Sequence, residues 1–250
     1  MKLEDYLAAE GIKEMSIDEA NKVTKEALTA KEYEELEHCR FLLYTNGPNP
    51  ILQKMHTLLI EHNLAYVLRC VEFQNTRKEI PMVLENLPVN ARVLDVGYYD
   101  GLKTVYYKLA RPDLEIGAID CCEAAIKLAN QKAAKYNTNI DFGYAEFIKF
   151  KPGKRFDAII ATRVFQELAT MTYFGEQIIP WEACAQKSNE LLNLGGELLV
   201  SLSINNVCEE DTKWQIIEGM KKHELHQILE KSWKSYCHRD STNYFFVFKK

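Results

Sequence analysis

Two acidic residues and two glycines stand at spacings that could bind a cationic, ribose-containing ligand. Asp95 lies at the end of an apolar run at residues 92–96, and Gly97 and Gly101 follow within a short turn. Glycines let the backbone approach a ligand closely, because they have no Cβ. Asp120 ends a second apolar run about twenty residues after Gly101, where nucleotide-binding sheets place the carboxylate that accepts hydrogen bonds from ribose hydroxyls.

The turn lacks the glycine pattern of nicotinamide- and flavin-binding folds. Those folds use G-x-G-x-x-G so that a helix N-terminus can approach a pyrophosphate. Counted from Gly97, the second and third glycine positions hold Tyr99 and Leu102, and a tyrosine side chain would obstruct the pyrophosphate. The negative charge of Asp95 repels phosphates and attracts a cation. The residues therefore favour a cationic ligand.

The elements that must position these residues follow an α/β pattern. Residues 91–123 predict one β-α-β unit, and short apolar strands and helices alternate to residue 250, which predicts a doubly wound, mostly parallel sheet. The remaining predicted elements are strands at 140–144, 156–162 and 197–203, and helices at 123–136, 181–192 and 211–229. Gly195-Gly196 predicts the end of the helix at 181–192. Residues 233–238 and 244–248 predict an antiparallel hairpin at the sheet edge.

Residues 1–88 predict a separate helical section, which leaves 89–250 as the sheet domain. Ser16 and Glu19 have the spacing of a capping box at a helix N-terminus. A second helix precedes the Asn46-Gly47-Pro48 turn, and one further helix is expected over residues 51–73. Three histidines fall in this section, at His38, His56 and His62, and the default interpretation is surface or core histidine.

The chain from residue 91 to its C-terminus resembles the class I S-adenosylmethionine-dependent methyltransferases. VLDVGYYDG at residues 93–101 is similar to that family's D-x-G-x-G-x-G motif, and the similarity continues through Asp120, FDAIIATRVFQEL at 156–168 and LLNLGGELLVS at 191–201. The resemblance implies a Rossmann-like, seven-stranded sheet with the antiparallel C-terminal hairpin. It also implies S-adenosylmethionine as the cofactor, and an N-terminal helical lid for members with small acceptors.

The resemblance further implies the roles of the site residues. Asp95 would address the ammonium of the cofactor's methionine part, Asp120 would hold both ribose hydroxyls, and Cys121 would lie against the adenine. The full set of expected cofactor-binding residues is Asp95, Gly97, Tyr98, Tyr99, Gly101, Asp120, Cys121, Ala145, Glu146 and Thr162. From its position alone, Asp120 could instead be a strand-end acid that caps the next helix.

Two residues depart from the family pattern. Tyr99 replaces the middle glycine, and Tyr144 stands where the family commonly has an adenine-facing aspartate. Either ring could lie outside the pocket, or could pack on the cofactor, where a tyrosine face attracts a sulfonium by roughly 0.5 to 2 kcal/mol. A non-glycine residue at position 99 with the wrong φ would reshape the loop.

The acceptor side is expected after the fourth strand. Methyl transfer is an in-line displacement, so the protein aligns the acceptor and removes its proton. Arg163, Gln166 and Glu167 occupy the rim where ligands collect, with Glu167 as the candidate base; alternatively, Gln166 and Glu167 merely begin a solvated helix. The sequence ATRVFQ at 161–166 lacks the N-P-P-Y motif of nucleic-acid amino methylation.

Composition narrows the class of protein. The 250 residues are 47% hydrophobic and carry a formal net charge of -5, which argues against sequence-independent nucleic-acid binding. No apolar run reaches about eighteen residues, so no membrane span is predicted. Seven cysteines without a C-x-x-C pair suit reduced core thiols and no zinc site, and we expect a cytoplasmic protein without a bound metal.

Together these features predict a methyltransferase that transfers the methyl group of S-adenosylmethionine to an oxygen or nitrogen of a small-molecule acceptor. One alternative is a non-catalytic binding partner or cofactor sensor with a degenerate glycine loop. A second is a protein or RNA methyltransferase, which would need an open crevice or a basic rim. A homodimer could form through the C-terminal sheet edge or through the helices before Pro88.

Overall fold

The computed structural model describes residues 1–45, 49–165, 181–205, 209–228, 233–236 and 241–250. The strands in chain order are β1 Arg92–Val96, β2 Glu115–Asp120, β3 Asp141–Tyr144, β4 Phe156–Thr162, β5 Leu192–Asn205, β6 His226–Gln227, β7 Trp233–Tyr236 and β8 Ser241–Lys249. They form one sheet in the order β3-β2-β1-β4-β5-β8-β6, with β7 also paired to β8.

The pairing confirms the predicted doubly wound, mostly parallel sheet. Strands β1 to β5 pair in parallel, whereas β8 is antiparallel to β5 and to both β6 and β7. Because β6 and β7 pair with successive parts of β8, they share one position at the sheet edge. The described sheet therefore has seven strand positions, and β8 lies inside it.

The helices in chain order are α1 Leu3–Ala9, α2 Ile17–Ala27, α3 Ala30–Thr45, α4 Asn49–Glu61, α5 Ala65–Val71, α6 Phe73–Asn86, α7 Leu102–Ala110, α8 Glu123–Lys135, α9 Trp181–Leu191 and α10 Glu209–Lys222. A short 3-10 turn spans Phe147–Lys149. None of the described helices is both long enough and apolar enough to cross a membrane.

Alternation along the strands gives the sheet two apolar faces. On β1, Val93 belongs to a core that also contains side chains of α1, α6, α7 and α8, whereas Leu94 and Val96 belong to a core with α9 and α10. This is expected, because successive side chains of a strand point to opposite faces. A third core joins α2 to α5.

In the N-terminal helices, the structure confirms the predicted capping box and shows that one predicted helix is wrong. Ser16 Oγ accepts from Glu19 N at 3.2 Å, and Glu19 Oε2 accepts from Ser16 N at 2.8 Å. The single helix expected over 51–73 is wrong, because α4 ends at Glu61 and α5 begins at Ala65. Asn63 lies between them with φ +56, a left-handed conformation that ends a helix and that asparagine tolerates.

Two boundaries near the C-terminus also differ from expectation. Gly195-Gly196 does not end a helix: α9 ends at Leu191, and the glycines lie within β5, where the pairing with β4 shifts register. Gly195 has φ +78, which fits an irregularity in the strand. The helix expected to reach residue 229 ends at Lys222, and β6 follows it.

Candidate functional site

The candidate site lies where the C-terminal ends of β1 and β2 meet. The strands are parallel, with Val96 in register with Ile119. Gly97 N donates to Ile119 O at 2.8 Å, so the turn after β1 leaves the sheet beside Asp120. The structure thereby brings the predicted acids and glycines to the sheet edge at which ligands bind in open parallel sheets.

Both glycines of the turn fit where no side chain can. Gly97 and Gly101 have φ of +69° and +71°, a region that L side chains rarely adopt. A Cβ on Gly97 would lie 2.2 Å from Val164 Cγ2, and one on Gly101 would lie 2.7 Å from Ala129 Cβ. The turn is therefore pressed between the end of β4 and helix α8, and both positions require glycine.

Tyr99 has a left-handed backbone conformation. Its φ is +52, and the left-handed region costs a non-glycine residue about 1 to 2 kcal/mol. The ring is 6% exposed, with the His56 ring 4.3 Å away between centroids and Arg69 Cζ 5.2 Å from its centroid. The hydroxyl has no hydrogen-bond partner among the described residues. The backbone at position 99 therefore lies in a region that favours glycine, although the residue is tyrosine.

The Asp120 carboxylate holds the turn from the side of β2. Its Oδ2 accepts from Tyr99 N at 2.9 Å, and its Oδ1 accepts from Cys122 N at 2.9 Å. Burial raises the pKa of Asp120, although these backbone hydrogen bonds act in the opposite direction. Cys121 also contributes a backbone hydrogen bond to this carboxylate. A carboxylate has about four acceptor sites, so three backbone donors leave capacity to accept from a ribose hydroxyl.

Asp95 is buried below the turn. It is 3% exposed, and Thr104 Oγ1 of α7 donates to its Oδ2 at 2.5 Å. Burial raises the pKa of Asp95 to about 6, and the hydrogen bond from Thr104 opposes the shift. A buried carboxylate whose charge is only partly compensated suits a cationic ligand group.

The other predicted cofactor-binding residues range from buried to exposed. The Tyr98 ring is 3% exposed and packs edge-on against Phe142 with 4.8 Å between centroids, so only its backbone can line the site. The Cys121 thiol is half-buried, and burial raises its pKa while a hydrogen bond with Gln53 of α4 lowers it. Tyr144 is 56% exposed. Ala145 and Thr162 are half-buried, and Glu146 is exposed.

On the acceptor side, the structure describes one of the three predicted residues. Arg163 follows β4 with φ +62, its N donates to Ser201 O at 2.8 Å, and its Nε lies 3.4 Å from Glu72 Oε1. Although burial raises the pKa of Glu72, Arg163 and neighbouring cations lower it below its usual value. Gln166 and Glu167 lie outside the described residues.

The sequence predicted an N-terminal helical lid, but it did not single out Arg69 of α5 or Thr57 of α4 as residues at this site. Arg69 Nε and Nη2 donate to Asp100 Oδ1 at 2.9 and 2.7 Å, and Thr57 Oγ1 lies 3.6 Å from Cys122 Sγ. Burial, and then the charge of Arg69, lower the pKa of His56 to about 4, so this histidine is neutral at neutral pH. The available sequence signal for the Arg69 contact was Asp100, an acid between Gly97 and Gly101 that could attract a cationic side chain.

The sheet order and the strand-end acids define a Rossmann-like fold with a nucleotide-type site. The chain belongs to the family described as "Methyltransferase domain", whose model matches residues 87–238. It is thus an S-adenosylmethionine-dependent methyltransferase, which confirms the class of protein and the cofactor predicted from the sequence. No curated protein sequence matches the chain.

Several solved structures are similar in fold. N-methyltransferase NodS from Bradyrhizobium japonicum WM9, in complex with S-adenosyl-L-homocysteine, has a TM-score of 0.56 and 17% identity over 72% of this chain and 87% of that chain. A putative sarcosine dimethylglycine methyltransferase from Galdieria sulphuraria has 0.56 and 11% over 86% and 98%. Geranyl diphosphate methyltransferase, in complex with GPP and sinefungin, has 0.55 and 9% over 76% and 81%.

Proposed function

We propose that this methyltransferase acts on an oxygen or nitrogen of a small-molecule acceptor, held between the sheet rim and the N-terminal helices. The observation that carries the proposal is the cover that α4 and α5 form at the site. His56 and Arg69 contact the turn at residues 97–101, here called the cofactor turn, and Thr57 contacts Cys122 just before α8. A covered site excludes water and suits a small acceptor better than a polymer. The net charge of -5 is also unfavourable for RNA.

The similar folds support the same class of acceptor. The names of the Galdieria sulphuraria protein and of the geranyl diphosphate methyltransferase refer to small amines and to a small diphosphate. At identities of 11% and 9% these names do not transfer to this chain residue by residue, because one fold hosts many acceptors. These names support a small molecule as the class of acceptor. The side chains that follow β4 are expected to select the particular acceptor.

The residues beside and within the turn suit the cofactor. Asp95 would face its ammonium, Asp120 would accept from both ribose hydroxyls, and Cys121 would lie against the adenine. The buried Tyr99 hydroxyl, which has no partner among the described residues, adds a polar group that a ligand can satisfy. When bound, S-adenosylmethionine supplies a methyl group already activated on a sulfonium.

Alignment and proton removal fall to the acceptor side. Arg163 orients the acceptor at the rim beside Glu72, and Glu167 takes the proton of an alcohol or acid acceptor, with Gln166 as a further positioning group. The Glu167→Gln variant is expected to lower kcat by about 100-fold or more, with cofactor affinity unchanged. Steady-state kinetics and a cofactor titration measure the two effects separately.

The acceptor class is tested with cofactor carrying a radioactive methyl group. The enzyme is incubated with three separate pools: small alcohols, acids and amines; total RNA; and a protein mixture. We expect label in the small-molecule pool, and none with an Asp120→Ala control. Label confined to RNA or protein would overturn the proposed acceptor class, and cofactor binding without label in any pool would favour the cofactor sensor.

A further inference from the structure

Arg69 of α5 contacts three consecutive residues of the cofactor turn. Its Nε and Nη2 donate to Asp100 Oδ1 at 2.9 and 2.7 Å, and its Nη2 donates to Tyr98 O at 3.5 Å. Its Cζ lies 5.2 Å from the centroid of the Tyr99 ring. A side chain from the N-terminal helices thus holds the segment in which the turn departs from a glycine loop.

Burial strengthens the contacts between Arg69 and Asp100. The Arg69 and Asp100 side chains are 10% and 3% exposed, so water screens their attraction little. Glu72 Oε2 lies 3.9 Å from Arg69 Nη1, which adds a second carboxylate to the charge balance. A planar guanidinium can donate two hydrogen bonds to an acid while its face lies against a ring, which an ammonium cannot do.

Tyr99 explains why the turn needs such a partner. A glycine would adopt the left-handed conformation without cost, whereas tyrosine requires surrounding structure to hold it there. The hydrogen bond from Tyr99 N to Asp120 Oδ2 forms in that conformation, so the path of the turn also sets the orientation of the proposed ribose-binding acid.

We propose that Arg69 is a positioning residue that compensates for the missing middle glycine and keeps the turn competent to bind the cofactor. The inference rests on the proposed cofactor site at Asp95 and Asp120. It makes the N-terminal helices part of cofactor binding itself, in addition to their role as a cover for the acceptor.

A double-mutant cycle on cofactor affinity tests this role. Arg69→Gln is expected to weaken S-adenosylmethionine binding about tenfold or more, because neighbouring groups that act together show coupling of this size. In the Tyr99→Gly background, the same Arg69→Gln change is expected to weaken binding less than about threefold, since glycine no longer needs the restraint. Calorimetric titration of the four proteins gives both ratios.

The matched control is Glu79→Gln. Glu79 of α6 pairs with Lys103 of α7 at 2.5 Å, with side chains 2% and 5% exposed, so this change also breaks a buried ion pair between the N-terminal helices and the sheet domain. It should lower the unfolding midpoint and leave cofactor affinity within about twofold. If Arg69→Gln does not fold, Arg69→Lys keeps the charge, loses the two-nitrogen geometry and takes its place in the cycle.

The outcomes separate this inference from the proposed function. Wild-type protein that fails to bind the cofactor would overturn both. Wild-type binding with an unchanged affinity in Arg69→Gln would overturn the positioning role alone. An equal loss of affinity in the wild-type and Tyr99→Gly backgrounds would also overturn it, because Arg69 would then not act through residue 99.

Discussion

Among single residues, Tyr99 and the two strand-end acids, Asp95 and Asp120, are the main parts of the proposed site. The placement of Asp95 and Asp120 could be predicted, because the ends of parallel strands share one edge of the sheet. The left-handed conformation of Tyr99 could not be predicted, since the Arg69 contacts to its turn come from a residue 31 positions before Asp100. No local pattern encodes such a contact. The roles of the individual site residues stay predictions.

The raised pKa of Asp95 predicts a pH dependence of cofactor affinity. Burial sets this pKa to about 6, so below that pH the free protein holds a proton that must leave before the carboxylate can face an ammonium. Affinity should fall as pH decreases through 6, approaching about tenfold per pH unit. Calorimetry between pH 8 and 5 measures this.

Asp120 complicates the interpretation, because its raised pKa acts in the same direction. The Asp95→Asn variant separates the two carboxylates, since it should bind more weakly at pH 8 and lose most of the dependence. A wild-type affinity that stays constant from pH 8 to 5 would contradict the role of Asp95.

Among the helices and strands, the sequence predicts best those in which apolar residues recur at regular spacing. The break between α4 and α5 had a signal at Asn63, whose φ is +56, but one asparagine within an apolar helical pattern is weak evidence. The start of β5 at Leu192 could not be predicted. The Gly195-Gly196 pair suits both a helix end and a strand irregularity, and only the pairing with β4 decides between them.

The packing of the turn against α8 predicts a large effect of one methyl group. Gly101→Ala would place a Cβ 2.7 Å from Ala129 Cβ with a φ of +71, and should lower the free energy of unfolding by about 2 to 4 kcal/mol. Gly153→Ala is the matched control, since no atom lies within 4 Å of its added Cβ. Urea unfolding of both variants measures the difference; equal stabilities would show that the turn can move away from α8.

For the whole molecule, the alternation of strands and helices was sufficient to predict a doubly wound, mostly parallel sheet. The sequence did not predict that the N-terminal helices and the sheet share a core. Periodicity shows which side chains of a helix are apolar, but it does not show which face of the sheet they pack against. Leu7 and Ile80 of the N-terminal helices lie in one core with Val93 and Leu199 of the sheet. The predicted division at residue 88 therefore stays a proposal about sequence segments, and the structure places a common core across it.

A common core predicts that the described helices and sheet unfold together. The three tryptophans, Trp181, Trp214 and Trp233, all follow residue 88, so tryptophan fluorescence reports on the sheet domain, whereas far-ultraviolet circular dichroism reports on helices of both sections. Both signals should show one transition with the same urea midpoint. A separate earlier loss of helix signal without a fluorescence change would show that residues 1–88 unfold independently.

S-adenosylmethionine is expected to bind where Asp120 meets the turn after β1. Calorimetric titration of wild-type protein, Asp120→Ala and Asp113→Ala tests it most directly. Asp113 is the matched control, because its carboxylate also accepts a backbone N–H, from Asn90 at 2.9 Å, but it precedes β2 at the opposite end of that strand. We predict one cofactor per chain, at least tenfold weaker binding in Asp120→Ala and wild-type affinity in Asp113→Ala. No binding at millimolar cofactor, or equal affinities in the two variants, would rule out this binding position.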